Sequence, residues 1–295
     1  MNIAILSKGE TLYSTQSLLK AGTKRKHVME VLDPSHCSLS IENGKSIVRF
    51  HDEIVDDLDA IIPRIGASNT YYGATLVRHF NVMNVFSVVS AEAILQTRDK
   101  WTCSQLLSRS NVPIPKTILG SSSNLEYLLS NFKDQPIIIK ILEGTHGNGV
   151  ILADTYLSAL STIETLKTAG VKFLLQEYIE ESKGTDLRVI VVDGKIASAM
   201  KRQSKKGDFR SNLHRGGSSI KVNLTDEEEN IALRAARTMK LGVCGIDILQ
   251  SSRGPLVLEI NSSPGLEGIE KTTDINISDK IISYIERNKR SCVNL

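Results

Sequence analysis

The chain has 295 residues, 41% of them hydrophobic and 23% charged, with a formal net charge of +3. This ordinary globular composition supports two or three packed units and excludes a disordered or fibrous chain. The charge is too mild to mark a nucleic-acid binder by itself. Four cysteines, Cys37, Cys103, Cys244 and Cys292, form no C-x-x-C pair. They fit neither a disulfide framework nor a zinc site and point to a reduced, cytoplasmic setting. "MNIAILSKGE" has too short an apolar run for a signal peptide. No run approaches the roughly 20 apolar residues of a membrane helix, so a soluble protein is expected.

The first third alternates strand and helix. "NIAIL" reads as a strand, Thr11 to Lys26 as a helix, "HVMEVL", "SIVRF" and "DAIIPRIG" as strands, Thr70 to Asn84 as a helix and "VFSVV" as a short strand. That order predicts an α/β layer with a partly parallel sheet. A boundary is expected between Ser90 and Arg98, where Ser90 can cap a helix.

The middle section opens with a helix containing "RDKWTCSQLL", followed by the proline-marked connector "NVPIPKT". Ser121 to Asn131 gives a cap and a short helix. "PIIIKIL", "VILAD" and "KFLLQEYI" read as strands, with a helix from Tyr156 to Ala169. In the last section "DLRVIVVDGKIASAMKR" predicts a hairpin turning at Asp193-Gly194. Thr225 to Leu241 is a helix with a Thr225/Glu228 capping box. "VCGIDIL" and "GPLVLEIN" are strands, and Ile277 to Arg290 is an amphipathic helix.

Several residues sit where packing alone does not want them. In "PLVLEINSSPG", Glu259 and Asn261 are two apart and share one strand face, with Leu256, Leu258 and Ile260 on the other. A carboxylate and an amide side by side are hard-oxygen ligands of the kind magnesium prefers; a strand with one wet face would look the same. Asp247 lies within the preceding strand. If the two strands pair as a hairpin, it comes across from Glu259 and Asn261, and three oxygen donors share one face.

Lys140 stands among isoleucines in "PIIIKIL". It must snorkel to water, sit on a sheet edge or meet an anion. The adjoining "GTHGNG" supplies Gly144, Gly147 and Gly149, a loop able to bring backbone N–H groups against phosphate. It is neither a Walker loop nor a dinucleotide fingerprint. "KRQSKKGDFRSNLHRGG", Lys201 to Gly217, holds six Lys or Arg against one Asp. It reads as a solvated loop, an RNA-contacting loop or a mobile electropositive lid. Asp186 and Arg188 in "TDLRVIV" share one strand face.

In order, "PRIG", "RDK", "EGTHGNGV", "QEYIEE", "DLRVIVVDGK", "KGDFRSNLHRGG", "GIDIL" and "GPLVLEINSSPGLEGIEKTT" resemble the ATP-grasp ligases, and more narrowly the RimK family. The resemblance covers nearly the whole chain. It implies a mixed α/β (α+β) ATP-grasp fold with three subdomains: an N-terminal pre-ATP-grasp unit over 1–96, a central subdomain over 97–176 and a C-terminal subdomain over 177–290. ATP would lie between the last two.

By the family's pattern, Lys100 and Lys140 would contact ATP phosphates, Glu177 and Tyr178 the adenine, and Asp186 the ribose. Arg210, Ser211 and Asn212 would face the phosphates. Asp247, Glu259 and Asn261 would hold two magnesium ions, with manganese as a substitute. Arg202 and Arg210 are the candidates for stabilising the transferred phosphoryl group, and Lys205, Lys206 and Arg215 would give the lid a charge suited to an acidic substrate.

The implied activity is ATP-dependent joining of free L-glutamate to a carboxylate through an acyl phosphate, with ribosomal small-subunit protein six as acceptor. No membrane or direct nucleic-acid partner is expected, and a homo-oligomer is a modest expectation. A small-molecule acceptor, and a non-catalytic nucleotide- or RNA-binding protein, are the competing readings. Asn148 departs from the family, where many relatives carry an apolar residue, and the tail "RSCVNL" has no counterpart chemistry.

Overall fold

The computed structural model describes residues 1–120, 124–132, 135–142, 149–205, 207–211 and 216–291. The chain begins with β1 (Asn2–Leu6), α1 (Tyr13–Lys24), β2 (Val28–Leu32), β3 (Cys37–Glu42), β4 (Lys45–Phe50), β5 (Glu53–Ile54), β6 (Ala60–Pro63), α2 (Thr70–Val82), β7 (Phe86–Ser87) and α3 (Ala91–Arg98). Strands β2-β1-β6-β7 form a parallel sheet in that order. A parallel sheet is covered on both faces, so its central strands read as continuous apolar runs. Ile3 to Leu6 and Ala60 to Ile62 are accordingly buried.

Strands β3, β4 and β5 make a separate antiparallel sheet. Its first turn is Asn43-Gly44, both at positive φ, the two-residue hairpin geometry that this dipeptide favours.

The middle of the chain gives α4 (Lys100–Arg109), β8 (Thr117–Ile118), α5 (Leu125–Ser130), β9 (Ile137–Ile141), β10 (Val150–Ala153), α6 (Tyr156–Thr168) and β11 (Phe173–Glu177). The single helix expected through "RDKWTCSQLL" is in fact two. Asp99 leaves helical geometry, and its carboxylate accepts from the amides of Trp101 and Thr102 at 2.9 and 3.0 Å. It thereby caps α4 and ends α3. The cap of α5 is Asn124, and the expected start at Ser121 lies outside the described residues. Strands β10-β9-β11-β8 form an antiparallel sheet.

The last section supplies β12 (Thr185–Val192), β13 (Lys195–Gln203), β14 (Ser218–Lys221), α7 (Asp226–Thr238), β15 (Val243–Ser251), β16 (Gly254–Asn261), α8 (Glu267–Thr273) and α9 (Ile277–Ser291). The antiparallel sheet order is β14-β13-β12-β15-β16. Asp193 and Gly194 turn the β12–β13 hairpin at positive φ, and Thr225 and Glu228 form the reciprocal capping box of α7.

Packing divides the molecule differently from the order of its elements. The parallel sheet and the five-stranded sheet share one continuous core, from Ile3 through Ile190 and Ile246 to Ile285. The central sheet has its own core of Leu128, Ile139, Ile163, Leu175 and their neighbours. Charge reinforces the first union. Arg25, beyond α1, makes a bidentate pair with Asp279 of α9 at 2.7 and 2.8 Å and reaches Glu286 at 2.9 Å. No described helix is long and apolar enough to cross a membrane.

Candidate active site

The β15–β16 ladder places Asp247 directly opposite Glu259, and Gly245 opposite Asn261. Residues directly opposite in an antiparallel pair point to the same face, so Asp247, Glu259 and Asn261 gather there. The register then shifts. Ile248 pairs with Val257, leaving Leu258 as the extra residue of a bulge. The bulge corrects the simple alternation expected for this strand. Leu256 pairs with Leu249 on the Asp247 face, while Val257 turns to the opposite face and is buried with Ile248. The bulge thus keeps an acidic end and an apolar end on one strand.

Two like charges opposite one another in a ladder are destabilising unless a cation intervenes. For Asp247 the protein supplies one. Arg188, its neighbour on β12, donates to both Asp247 oxygens, from Nη2 at 2.7 Å and also from Nε. Arg202 of β13 reaches Asp247 Oδ2 through Nη2 at 2.9 Å. Burial pushes the Asp247 carboxyl upward, but the two guanidinium groups outweigh it and hold the group below the usual carboxylate range. Arg202 is also buried, and the facing Asp247 and Asp186 carboxylates more than offset that burial and raise its pKa.

Arg202 Nε donates to Asp186 Oδ1 at 2.7 Å, and Ser211 Oγ donates to Asp186 Oδ2 at 2.6 Å. The result is one network, Arg188–Asp247–Arg202–Asp186–Ser211, across three adjacent strands and the loop beyond. Glu259 differs from Asp247: it is exposed and has no hydrogen bond or ion pair among the described residues.

Two lysines lie within electrostatic reach of Glu259. Burial lowers the Lys140 pKa to about 8, with Glu259 resisting the shift. Burial lowers that of Lys100 too, again against the pull of Glu259. Lys100 Nζ donates to the Leu142 carbonyl at 2.9 Å. Lys140 has no partner among the described residues. It pairs in register with Leu174, whereas Glu177 lies three residues farther along β11, about 10 Å on at strand rise.

Glu177 accepts from the Lys116 amide at 2.7 Å and from Arg253 at 2.6 Å. The Tyr178 hydroxyl is buried without a hydrogen-bond partner among the described residues. Arg210 pairs with Asp208 at 3.0 Å and stacks over Phe209. Asn212, Gly144, Gly147, Asn148, Lys206 and Arg215 lie outside the described residues.

Sequence reasoning put Arg188 on the Asp186 face but gave it no role, and passed over Arg64 and Arg98. Both of these donate to backbone carbonyls of distant segments, Pro264 at 2.8 Å and Ile65 at 2.7 Å respectively. Only the "PRIG" and "RDK" stretches hinted at them.

The donor set fits a hard divalent cation. Among the described residues no group of three or more His, Cys, Asp and Glu could hold a metal; here the third donor is the Asn261 amide, and two carboxylates with one amide oxygen are hard-oxygen chemistry.

Fold and site together define a ligase of the ATP-grasp class, and the comparisons agree. Residues 97–285 match the model of the RimK-like ATP-grasp domain, and residues 1–94 match the RimK PreATP-grasp domain. The chain belongs to the RimK family of ATP-grasp enzymes, ligases that join a carboxylate to an amine. The "Probable alpha-L-glutamate ligase" of Maridesulfovibrio salexigens is 47% identical over 289 residues, covering 98% of this chain and 96% of that protein. The "Probable alpha-L-glutamate ligase 1" of Pseudoalteromonas atlantica is 49% identical over 290 residues, covering 98% and 96%.

Among solved structures, the ATP-grasp ligase PsnB complexed with minimal precursor superposes with a TM-score of 0.76 at 17% identity, covering 97% of this chain and 98% of that one. The D-alanine–D-alanine ligase of Bacillus anthracis does so at 0.68 and 15%, covering 99% and 98%. At such identities these two show the shared fold.

Proposed function

We propose that the protein is an ATP-dependent L-glutamate ligase that extends the C-terminus of ribosomal small-subunit protein six. The observation that carries this reading is the Asp247–Glu259–Asn261 face set against Lys100 and Lys140. It is an acidic, hard-oxygen face within electrostatic reach of two cations, as a metal-bound triphosphate requires. The glutamate chemistry is supported by the relatives' names at 47–49% identity over nearly the full length.

In this reading the chain works as three subdomains, and the nucleotide lies along β9 and β11. Glu177 and Tyr178 take the adenine, and the span of about 10 Å to Lys140 suits a nucleotide running to its phosphates. Asp186, Arg210, Ser211 and Asn212 line the ribose and phosphates. Asp247, Glu259 and Asn261 hold two magnesium ions, for which manganese can substitute. Held by these residues, the metal would offset repulsion between the anionic nucleophile and the triphosphate.

The acceptor carboxylate oxygen attacks the γ-phosphorus. An O–P bond forms, the bond to the β-phosphate oxygen breaks, and ADP leaves with the electron pair. Arg202 and Arg210 stabilise the charge on the transferred phosphoryl group. The deprotonated amine of glutamate then attacks the acyl carbon. A C–N bond forms, the C–O bond to phosphate breaks, and inorganic phosphate departs, taking up the proton that the nitrogen loses. Each cycle adds a carboxylate to the product, and a basic lid that includes Lys205 suits it.

The direct test is ADP release by the purified protein with ATP, magnesium and L-glutamate, with and without the acceptor. Release that needs both glutamate and the ribosomal protein supports the reading. Release with glutamate and a small organic acid alone transfers the acceptor assignment to small molecules.

A further inference from the structure

The parallel sheet has a topological switch point that the nucleotide site does not use. In the order β2-β1-β6-β7, the chain leaves β1 toward β2 and later crosses to β6 on β1's other side. Ligands of open α/β sheets bind in the crevice outside the carboxyl ends of the strands at such a point. Here the loops after β1 and β6 flank it, joined by Lys8 Nζ donating to Ser68 Oγ at 2.9 Å.

The crevice also meets the segment that follows the acidic strand. Ser263 Oγ donates to the Pro63 carbonyl at 3.2 Å, the Leu266 amide donates to Ser14 Oγ at 3.1 Å, and Arg64 Nη2 donates to the Pro264 carbonyl at 2.8 Å. On its other flank, Arg98 Nη2 donates to Ile65. The switch point therefore opens within a few residues of Asn261 on one side and of Lys100 on the other.

Its charge is not balanced. Among the described residues Arg64 and Arg98 make no ion pair, and each has one donor engaged, on a backbone carbonyl. Arg98 Nε is buried without a hydrogen-bond partner among the described residues, and Glu259 is the opposing charge that acts on this guanidinium through space. Burial lowers the Arg64 pKa to about 10, with Glu270 as the opposing influence. Glu270 itself is committed to Ser17 Oγ at 2.9 Å and the Ser278 amide at 3.0 Å. Two guanidinium groups without a contacting carboxylate among the described residues, in a partly desolvated crevice, are held at a cost to stability unless an anion meets them. A guanidinium fork with its remaining donors open matches a carboxylate.

We infer that Arg64, backed by Arg98, forms a carboxylate-binding subsite on the amino-terminal side of the active site, which holds a carboxylate of one of the two organic substrates. This rests on the ligase reading above. Two sources share the chemistry: a carboxylate of free glutamate and the C-terminal carboxylate of the acceptor.

The test is steady-state kinetics of ADP release by the wild-type protein and by Arg64→Gln and Arg64→Lys, varying L-glutamate, acceptor peptide and ATP in turn. Melting temperatures are taken in parallel. The expected result for Arg64→Gln is a rise of roughly 10–100-fold in the KM for one carboxylate substrate, with kcat and the KM for ATP nearly unchanged. Which KM rises names the source. Arg64→Lys keeps the charge and a donor for Pro264 but loses the fork, so its KM should fall between the two; it also serves if the glutamine variant does not fold. A lowered kcat alone, a rise confined to the KM for ATP, or no change in either carboxylate KM would overturn the subsite. A wild-type protein that releases no ADP in response to glutamate would instead overturn the ligase reading.

Discussion

Arg202 holds Asp247 by a buried ion pair, Nη2 to Oδ2 at 2.9 Å. Arg188 grips the same carboxylate from the other side. The acid assigned to the metal is therefore also a structural member of the five-stranded sheet, and its partner Glu259 is not.

That difference predicts a split between two substitutions. Asp247→Ala takes from Arg188 its carboxylate partner, while Arg202 keeps Asp186, and should destabilise by about 3–5 kcal/mol, as breaking a buried pair does. Glu259→Ala removes an exposed side chain that makes no hydrogen bond or ion pair among the described residues and should stay within about 0.5 kcal/mol of wild type. Both should lose ADP formation. Urea denaturation beside an ADP-release assay measures the two effects; turnover retained by Glu259→Ala would remove it from the metal set.

Lys140 should trade stability for nucleotide binding. Its pKa in the folded state, about 8, lies below its ordinary value of 10.5. Between those values the unfolded chain binds more protons, so stability rises with pH across that window. The penalty is fully present below about pH 8 and is relieved toward pH 10.5. Lys140→Met should therefore raise the melting temperature at pH 7, gain little at pH 10, and weaken ATP binding. Calorimetry at the two pH values and an ATP titration check this; unchanged ATP affinity would take Lys140 out of the site.

The capping box of α7 serves as a control away from the chemistry. Thr225 Oγ1 accepts from the Glu228 amide at 3.3 Å, and Glu228 Oε2 accepts from the Thr225 amide at 2.9 Å. Thr225→Ala should lower stability by about 1 kcal/mol and leave the KM for ATP alone. A shift in the urea midpoint without a kinetic change is the expected signature.

Local signals carried much of this architecture. The Asp193-Gly194 and Thr225/Glu228 signatures turned and capped their elements as read, and the spacing of Asp247, Glu259 and Asn261 foretold a hairpin that brings them together. Asn43-Gly44 carried an equally strong turn signal, yet β3 escaped notice because Ser38 and Ser40 dilute its apolar pattern. Asp99 is a residue type that favours helix N-caps, but the apolar spacing on either side concealed the break.

The Leu258 bulge has no local signature, since it is set by the pairing of β15 with β16. Arg64 and Arg98 were unreadable for a different reason. Their partners are backbone carbonyls, in the case of Arg64 one 200 residues away, and no side-chain identity records such a contact.

The central claim is that this chain adds glutamate to a protein C-terminus. Mass spectrometry of ribosomal small-subunit protein six, after incubation with the enzyme, ATP, magnesium and L-glutamate, tests it most directly. The account predicts a ladder of added glutamyl units that disappears without ATP. An unmodified acceptor, with ADP still released when glutamate and small carboxylates are supplied, would contradict it.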